Sequence, residues 1–279
     1  MGKFDGVLLA SDFDNTLVYT EDALQNGEAV PPLPERNRQA LEYFMAEGGF
    51  FAIATGRALA AFLNYAAIVP MNAPGVVCNG AAIYDFAANE YLETALLDET
   101  ARERGQIVLE RFPTAAVEAY HLDSVIHGVH CNEITRLHEN LTKVPVLEVP
   151  ALPDVPMPLG KLLFEAKHET LLEIRDFMRA QGWGEDYELI FSTGHLLEMT
   201  AKGANKGGMV RRLAQRLGAR HIFCAGDEAN DLPMLAFAET GFAPENCIPA
   251  VRESGATIVR HAKEGAIADV IEILDKQRF

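Results

Sequence analysis

The sequence has far fewer basic residues than acidic residues, and this shortage limits which partners the protein can bind. Its 279 residues include 24 Lys and Arg against 40 Asp and Glu, which gives a formal net charge of −16. Binding to nucleic acid or to an anionic membrane surface requires clustered cations, so we expect neither partner. An acidic protein that binds a phosphate group needs a local positive charge, which a metal ion could supply.

The chain also has few cysteines and no long apolar run. Cys78, Cys131, Cys224 and Cys247 form no CxxC pair, which favours reduced, buried thiols over a disulfide framework. No segment approaches the ~20 apolar residues of a membrane span. No basic stretch followed by an apolar one stands at the start, so we expect a cytoplasmic protein. The length suits one large or two medium domains.

The most informative stretch is 8–17, in which an apolar run leads into a loop that carries two carboxylates, Asp12 and Asp14. The run is typical of a central parallel strand. Two acids at i and i+2 beside an apolar interior are costly unless a positive charge compensates them. A capped turn, in which Asp14 or Asn15 bonds its own backbone, explains the same residues equally well at this point.

Strands and helices alternate in the first and last parts of the chain. The pattern predicts strands at 50–54, 75–78 and 221–225 and helices at 58–68 and 206–217. Such alternation is typical of a parallel sheet with right-handed crossovers. We therefore predict an α/β fold with a Rossmann-like parallel-sheet core, formed by residues 1–81 and 199–279.

Residues 82–198 do not follow this pattern and are predicted to form an inserted α+β cap. An amphipathic helix at 168–180 and a hairpin around 193–194 indicate a separate layer. The proline-rich stretch 144–158 is predicted to be a connecting loop, and 19–34 a polar, proline-containing stretch. A layer inserted over the sheet edge would act as a lid and select the substrate.

Polar side chains follow the predicted core strands, at the sheet edge where ligands bind in such folds. The set that we expect to converge there is Asp12, Asp14, Thr55, Lys206, Asp227, Asn230 and Asp231. Four acids at one edge would repel one another unless they held a divalent cation. An oxygen-only ligand set suits Mg²⁺, which takes one or two carboxylates, waters and a substrate phosphate.

With Mg²⁺ in place, the acids can take separate roles in phosphoryl transfer. Asp12 can attack phosphorus and form an aspartyl-phosphate, although a plain metal ligand fits the same geometry. Asp14 can protonate the leaving oxygen and then activate water. Asp227 would complete the metal site, and Asn230 could donate to the phosphate.

The remaining polar residues are predicted to stabilise the transferring phosphoryl group. Thr55 offers a hydroxyl and a backbone N–H to the phosphoryl oxygens. Lys206 supplies fixed charge to the phosphate and to Asp12, although in isolation an ordinary solvated lysine is the better interpretation. Asp231 is predicted to brace Lys206. Together such groups stabilise the charge of the transition state.

Taken in order, these motifs resemble those of the haloacid dehalogenase superfamily, specifically its Cof-type hydrolases with a large α+β cap. The matching pieces are DFDNTL at 12–17, ATGR at 54–57, CNGA at 78–81, GANKG at 203–207, and GD with ND at 226–231. Each motif alone is weak evidence for the family. The motifs taken together, in this order, are specific for it, and they span the whole chain. The resemblance extends to sugar phosphatases and to the sucrose-phosphatase and phosphomannomutase branch.

The resemblance implies a Mg²⁺-dependent phosphatase that acts on a small phosphorylated metabolite. It implies Asp12 as nucleophile, Asp14 as acid and base, and Thr55 and Lys206 as catalytic helpers. Asp12, Asp14 through its carbonyl, and Asp227 would be the metal ligands. The residues that would bind phosphate or substrate are Thr55, Gly56, Arg57, Lys206 and Asn230. Asn15 and Pro244 depart from the usual family residues and could alter the loop shapes around the site.

Two other functions stay open on the sequence. A phosphomutase uses the same aspartate pair, and a phosphometabolite-binding regulator would need no catalysis. The substrate is open as well. Arg57 is predicted to face it, and the cap residues His121, His127, His130, Asn132 and Glu133 could hydrogen-bond a sugar, although an exposed polar strand face explains them better. The oligomeric state cannot be derived from the sequence.

Overall fold

The computed structural model describes residues 2–26, 28–122 and 125–279, and strands and helices alternate through its first and last parts. The strands are β1 (Val7–Ser11), β2 (Phe50–Ile53), β3 (Gly75–Val77), β4 (Ala82–Asp85), β5 (Glu90–Thr94), β6 (Ala116–Tyr120), β7 (Ile126–Val129), β8 (Val146–Glu148), β9 (Lys161–Glu165), β10 (Tyr187–Thr193), β11 (Leu196–Ala201), β12 (His221–Ala225), β13 (Thr240–Pro244) and β14 (Thr257–Val259). The helices are α1 (Glu21–Asn26), α2 (Glu35–Ala46), α3 (Leu59–Ala66), α4 (Thr100–Arg111), α5 (Glu133–Thr142), α6 (His168–Ala180), α7 (Lys206–Leu217), α8 (Leu232–Phe237), α9 (Pro249–Glu253) and α10 (Ala266–Leu274).

A parallel sheet with strand order β14-β13-β12-β1-β2 forms the core. Strand β1 lies inside it and is buried along its whole length. Val7 and Leu9 pack into one apolar cluster, and Leu8 and Ala10 pack into another. A strand that is covered on both faces needs a continuous apolar sequence, which explains the unbroken run before Asp12.

A second sheet, with order β10-β11-β9-β6-β7-β8, is antiparallel except for the β7–β8 pair. Its two faces differ. Val117, Ala119, Leu162 and Phe164 pack with apolar residues of α4 and α6 on one face. The other face carries Lys161, whose Nζ donates to the Gly56 carbonyl at 3.3 Å. The polar face of this sheet is therefore turned toward the core.

Strands β3, β4 and β5 form a third, small antiparallel sheet. It joins the core because Ala54, just after β2, makes a parallel bridge to Val76. Two of the strands within 82–198, β4 and β5, therefore belong to the same small sheet as β3 and not to the six-stranded sheet. The boundaries of the inserted layer stay a prediction. The α/β class with a parallel-sheet core and an added α+β layer is confirmed.

Two elements differ from the sequence-based expectation. Helix α1 lies within the polar, proline-containing stretch for which no helix was predicted, and β8 lies within the stretch expected to be a loop. Helix α1 has six residues and starts where the Asn15 side chain accepts the N–H groups of Thr20 and Glu21, each at 3.0 Å. Strand β8 has three residues at a sheet edge. Both are too short for a hydrophobic period to show. Among the described residues, no helix is long and apolar enough to cross a bilayer.

Candidate active site

The end of β1 fixes the first aspartate at the centre of the sheet edge. The Asp12 N–H donates to the Ala225 carbonyl at 2.9 Å, so the pairing of β1 with β12 extends one residue beyond the strand. The Asp12 side chain is only 8% exposed, and it lines a pocket between the two larger sheets. Asn15, three residues later, has φ +56°, a left-handed conformation that asparagine tolerates better than most residues.

Lys206 lies buried between two of the predicted acids. Its Nζ donates to Asp12 Oδ1 and to Asp231 Oδ1, each at 2.7 Å, and it is 1% exposed. Asn205 places it there, because the Asn205 side chain accepts the Gly208 N–H and so caps the start of α7. Burial opposes a charged lysine, but Asp12 and Asp231 hold the pKa of Lys206 above its ordinary value. The predicted bracing of Lys206 by Asp231 is present.

The loop after β12 presents Asp227 and is held by Asp231. Asp231 Oδ2 accepts the N–H groups of Asp227 and Glu228, at 2.9 and 3.0 Å. Gly226 permits this tight loop, since a Cβ there would lie 2.4 Å from the Asp231 side chain. The Thr16 hydroxyl donates to Asp227 Oδ1 at 2.6 Å and so fixes the carboxylate that faces Asp12.

Three buried acids could hold a metal ion. One carboxylate oxygen from each of Asp12, Asp227 and Asp231 lies within 4.8 Å of the others. Burial raises the pKa of Asp12 to about 7 against the opposing effect of Lys206, and burial and the neighbouring acids raise the pKa of Asp227 well above its usual range. Carboxyl groups that resist ionisation in this way favour a nearby cation, and their oxygen-only set suits Mg²⁺.

The charges at this edge also favour a divalent ion. Four of the acids there are Asp12, Asp14, Asp227 and Asp231. Among the described residues, their ion pairs come from Lys206 and Arg57 alone, which leaves two negative charges. Asp231 already uses both oxygens, one for Lys206 and one for backbone N–H groups. Asp12 and Asp227 are therefore the more available ligands.

Asp14 lies in the same pocket, but its carboxylate is turned to Arg57. Arg57 donates Nε–H to Oδ2 and Nη2–H to Oδ1, each at 2.7 Å, and the Thr20 hydroxyl donates to Oδ1 at 2.8 Å. Burial alone would raise the pKa of Asp14, but the Arg57 guanidinium outweighs it and holds this pKa below the ordinary value. Arg57 also stacks against the Phe13 and Tyr65 rings. Arg57 was predicted to face the substrate, and it reaches the pocket as the partner of Asp14.

The structure corrects one part of the Thr55 prediction. The Thr55 N–H donates to the Val76 carbonyl at 2.9 Å, so it is not available to a phosphoryl oxygen in this conformation. The Thr55 hydroxyl oxygen accepts the Arg57 N–H at 3.1 Å. The next residue, Gly56, does line the pocket. The local backbone therefore presents Gly56 and Arg57, with Thr55 buried behind them.

Asn79 was missed as a candidate site residue, although its motif was part of the resemblance. The Asn230 Nδ2 donates to Asn79 Oδ1 at 2.9 Å, and the other amide atom of each side chain is buried without a partner in the described part of the chain. Asn79 has φ +53° and Gly80 has φ +101°. A Cβ on Gly80 would lie 2.5 Å from the Asn205 backbone, so this turn packs Gly80 directly against the residue that precedes α7.

The pocket has a volume of about 260 Å³, and residues of both larger sheets line it. On the cap side its polar residues include Tyr120, His138, Lys161 and Glu198. Lys161 donates to Glu198 Oε2 at 2.9 Å, and its ammonium lies 4.5 Å from the centre of the Tyr120 ring. Sequence reasoning missed these residues. Their signal was the alternation of charged side chains along strands that are otherwise apolar.

The cap residues considered from the sequence lie elsewhere. The pocket wall, as far as the chain is described, includes none of His121, His127, His130, Asn132 and Glu133. His121 forms two hydrogen bonds. Its Nδ1 bonds to the Pro158 carbonyl, and its Nε2 bonds to Nδ1 of His127. The Asn132 side chain caps α5. These contacts tie cap elements together and do not reach the pocket.

Comparisons with known proteins agree with this architecture. Residues 9–271 match the family model described as haloacid dehalogenase-like hydrolase. The protein YxeH of Bacillus subtilis strain 168 is 28% identical over 276 residues, which cover 96% of this chain and 97% of that protein. The 5-amino-6-(5-phospho-D-ribitylamino)uracil phosphatase YitU of the same strain is 25% identical over 253 residues, with 88% and 89% covered.

The fold is shared with solved structures as well. A haloacid dehalogenase-like hydrolase from Bacteroides thetaiotaomicron superposes with a TM-score of 0.77 at 21% identity. The superposition covers 98% of this chain and 100% of that chain. The inserted layer is therefore part of the likeness, together with the parallel-sheet core.

Proposed function

Since the chain belongs to the haloacid dehalogenase-like hydrolases, we propose that it is a Mg²⁺-dependent phosphatase that hydrolyses a small phosphorylated metabolite through an aspartyl-phosphate on Asp12. Family membership confirms the resemblance in the motifs and the expectation of a phosphatase-type enzyme. One observation carries the proposal for this chain. Asp12 lines the pocket while Lys206 holds its Oδ1, and Oδ2 accepts no hydrogen bond from the described residues.

The proposed Mg²⁺ ligands are Asp12, Asp227 and the Asp14 carbonyl. The two excess negative charges and the buried carboxylate oxygens at this edge support a divalent ion. When bound, Mg²⁺ would offset the charge of the phosphate and polarise the phosphorus for attack. Thr16 supports the arrangement, because its hydroxyl fixes the Asp227 carboxylate.

In the first chemical step, a carboxylate oxygen of Asp12 forms a bond to phosphorus while the bond from phosphorus to the leaving oxygen breaks. Asp14 gives its proton to that leaving oxygen. In the second step, Asp14 takes a proton from water as the water attacks phosphorus, and the bond between Asp12 and phosphorus breaks. Inorganic phosphate leaves and Asp12 is again a carboxylate. Lys206 offsets negative charge near Asp12 throughout.

Asp14 must leave its present hydrogen bonds to act as an acid. While both of its oxygens accept from Arg57, its lowered pKa keeps the group ionised at neutral pH. A substrate anion that takes over the Arg57 guanidinium would release the Asp14 carboxyl toward the leaving oxygen. We therefore assign Arg57 a substrate-binding role that is linked to the proton transfer.

The cap side of the pocket is proposed to hold the organic part of the substrate. The whole pocket has a volume of about 260 Å³, which suits a small metabolite. Lys161, Glu198 and His138 offer hydrogen bonds of the kind that sugar hydroxyls make, so a sugar phosphate is the proposed substrate class. The name of the relative YitU gives it a phosphorylated ribityl compound as substrate, which is in keeping with a small polyol phosphate.

The Asp14→Asn variant tests the mechanism with p-nitrophenyl phosphate. Its phenolate leaves without protonation, whereas the second step still needs the base. We expect a burst of about one equivalent of p-nitrophenol, a phosphorylated Asp12 detectable by mass spectrometry, and steady-state turnover lowered by roughly 10²–10⁴-fold.

The Asp12→Asn variant is the matched control and should give no burst and no phosphoprotein. EDTA should abolish turnover of the wild type, and added Mg²⁺ should restore it. Undiminished steady-state turnover in Asp14→Asn would contradict the mechanism. A panel of sugar, polyol and nucleoside phosphates, assayed with and without Mg²⁺, would identify the substrate class. If a sugar bisphosphate stimulated turnover of a sugar phosphate and no inorganic phosphate were released, the protein would instead be a mutase.

A further inference from the structure

The polar face of the six-stranded sheet holds a second group of buried acids. On β6 and β9, Glu118 and Glu165 lie on the same face, because Glu118 pairs with Leu163 and Ala116 pairs with Glu165 in the antiparallel register. Both glutamates are completely buried. The opposite face carries the apolar cluster with α4 and α6. Glu118 and Glu165 therefore lie on the side that faces the pocket, beneath α5.

Helix α5 brings a histidine onto these two carboxylates. His138 Nδ1 lies 2.9 Å from Glu118 Oε2 and 3.6 Å from Glu165 Oε1. The Tyr120 hydroxyl donates to Glu118 Oε2 at 2.5 Å, and the Thr135 hydroxyl donates to Glu165 Oε2. One oxygen of each carboxylate and one nitrogen of His138 lie within 4.8 Å of one another. Three donors of the types that bind metals thus converge from two strands and a helix.

The hydrogen bonds and charges of this group are incomplete. Glu118 Oε1 and Glu165 Oε1 are both buried and, within the described residues, lack a hydrogen-bond partner. No lysine or arginine of the described chain forms an ion pair with either glutamate. The cation on the same face, Lys161, is paired with Glu198. Buried carboxylates without a compensating charge are costly, so a positive charge or a proton must be supplied here.

We propose that Glu118, His138 and Glu165 form a second divalent-cation site, separate from the Asp12 and Asp227 edge. One divalent ion would offset both carboxylates and bond to the two oxygens that now lack partners. It would replace the proton on His138 Nδ1, since only a neutral imidazole nitrogen can coordinate.

The donor set favours a first-row transition ion such as Zn²⁺ over Mg²⁺. One imidazole and two carboxylates are ligands that Zn²⁺ accepts, whereas Mg²⁺ prefers oxygen alone. His138 lines the pocket and its side chain is 19% exposed, which gives the ion a route of entry. The ion would fasten α5 to β6 and β9 and so fix the pocket wall that α5 forms. This site goes beyond the proposed phosphatase chemistry, which does not require it.

Calorimetric titration of the full-length protein with Zn²⁺ tests the site. The titration uses the Asp227→Asn background, which lacks one carboxylate of the proposed Mg²⁺ site, so that uptake there does not obscure the result. We expect the Asp227→Asn variant to bind one equivalent of Zn²⁺. Adding Glu165→Gln or His138→Gln should weaken this uptake by at least about tenfold.

The matched control adds Glu198→Gln instead. Glu198 is 2% exposed on the same sheet face but lies outside the cluster, so this variant should keep the Zn²⁺ equivalent. The His138 side chain is only partly buried, at 19% exposed, so His138→Gln should fold even if the replacement of a buried glutamate does not. Replacement of Zn²⁺ by Co²⁺ should give a visible absorption band that His138→Gln loses.

Two results would overturn the proposal. One is the absence of Zn²⁺ uptake in Asp227→Asn, which would show that the two glutamates instead share protons with His138. The other is an uptake that Glu165→Gln and His138→Gln leave unchanged, which would place the ion elsewhere. Neither result depends on phosphatase activity, so failure of the proposed function would be seen separately in the Mg²⁺-dependent assay.

Discussion

Replacing Lys206 by methionine should destabilise the protein strongly, and the loss should depend on pH. The side chain is 1% exposed, and its ammonium binds Asp12 and Asp231 at 2.7 Å each. Methionine keeps most of the volume but leaves two buried carboxylates without their cation. Removing one partner of a buried ion pair costs about 3–5 kcal/mol. The free energy of unfolding of a typical domain is about 5–15 kcal/mol, so at neutral pH this loss would be a large fraction of the total stability.

The sign of the pH dependence follows from Asp12. Burial already raises its pKa to about 7 in the folded protein despite Lys206, whereas an unfolded aspartate has a pKa of about 3.9. Loss of the ammonium raises the folded value further. A group that binds protons more tightly when folded makes the folded state less stable as pH rises from the unfolded pKa to the folded one. The destabilisation in Lys206→Met should therefore be greatest near pH 8 and smaller near pH 5.

Urea denaturation of Lys206→Met and the wild type at several pH values, without divalent ions, measures the effect. Lys202→Met is the matched control, since its side chain is 53% exposed and its Nζ lies 3.7 Å from Glu188 Oε1. Exposed pairs contribute about 0–1 kcal/mol, so the control should change little. Equal losses in the two variants, or a loss in Lys206→Met that does not shrink as pH falls, would refute this account of the site.

Three further predictions concern the pocket. Thr16→Val removes the hydroxyl that orients Asp227 and should weaken Mg²⁺ binding by about 10–100-fold in a titration of activity, with Thr16→Ser as the conservative control. Arg57→Gln should raise the pKa of Asp14 and move the alkaline limb of the kcat/KM profile upward by about 1–3 pH units, and an unmoved limb would argue against Asp14 as the acid. Lys161→Met should raise KM more than it lowers kcat, because Lys161 is proposed to contact the organic part of the substrate; an unchanged KM would exclude that contact.

The part of the site that was predictable from the sequence rests on strand ends. Parallel strands place their carboxyl ends at one edge, so Asp12 and Asp227 could be brought together once their strands were recognised. The bracing of Lys206 by Asp231 follows from the same reasoning, because α7 begins at Lys206 and leads into β12. The roles of these residues in catalysis stay predictions.

The pairing of Asp14 with Arg57 was not predictable, because it depends on side-chain conformations. The sequence placed Asp14 and the loop containing Arg57 at one edge of the sheet, but it does not determine whether the Arg57 side chain turns to Asp14 or to the substrate. The short elements α1 and β8 were missed for another reason. Six and three residues do not show a hydrophobic period, and both elements depend on contacts with other parts of the chain.

The two acid clusters show why local patterns found one site and not the other. The aspartates that follow β1 and β12 lie in loops at strand ends, and spacing along the chain identifies them. Glu118 and Glu165 lie inside strands, and only the register of β6 with β9 brings them together. His138 is added by the way α5 packs on that sheet. Because two separate tertiary contacts assemble this cluster, the proposed cation binding depends on the docking of α5, and a bound cation would stabilise that docking in turn.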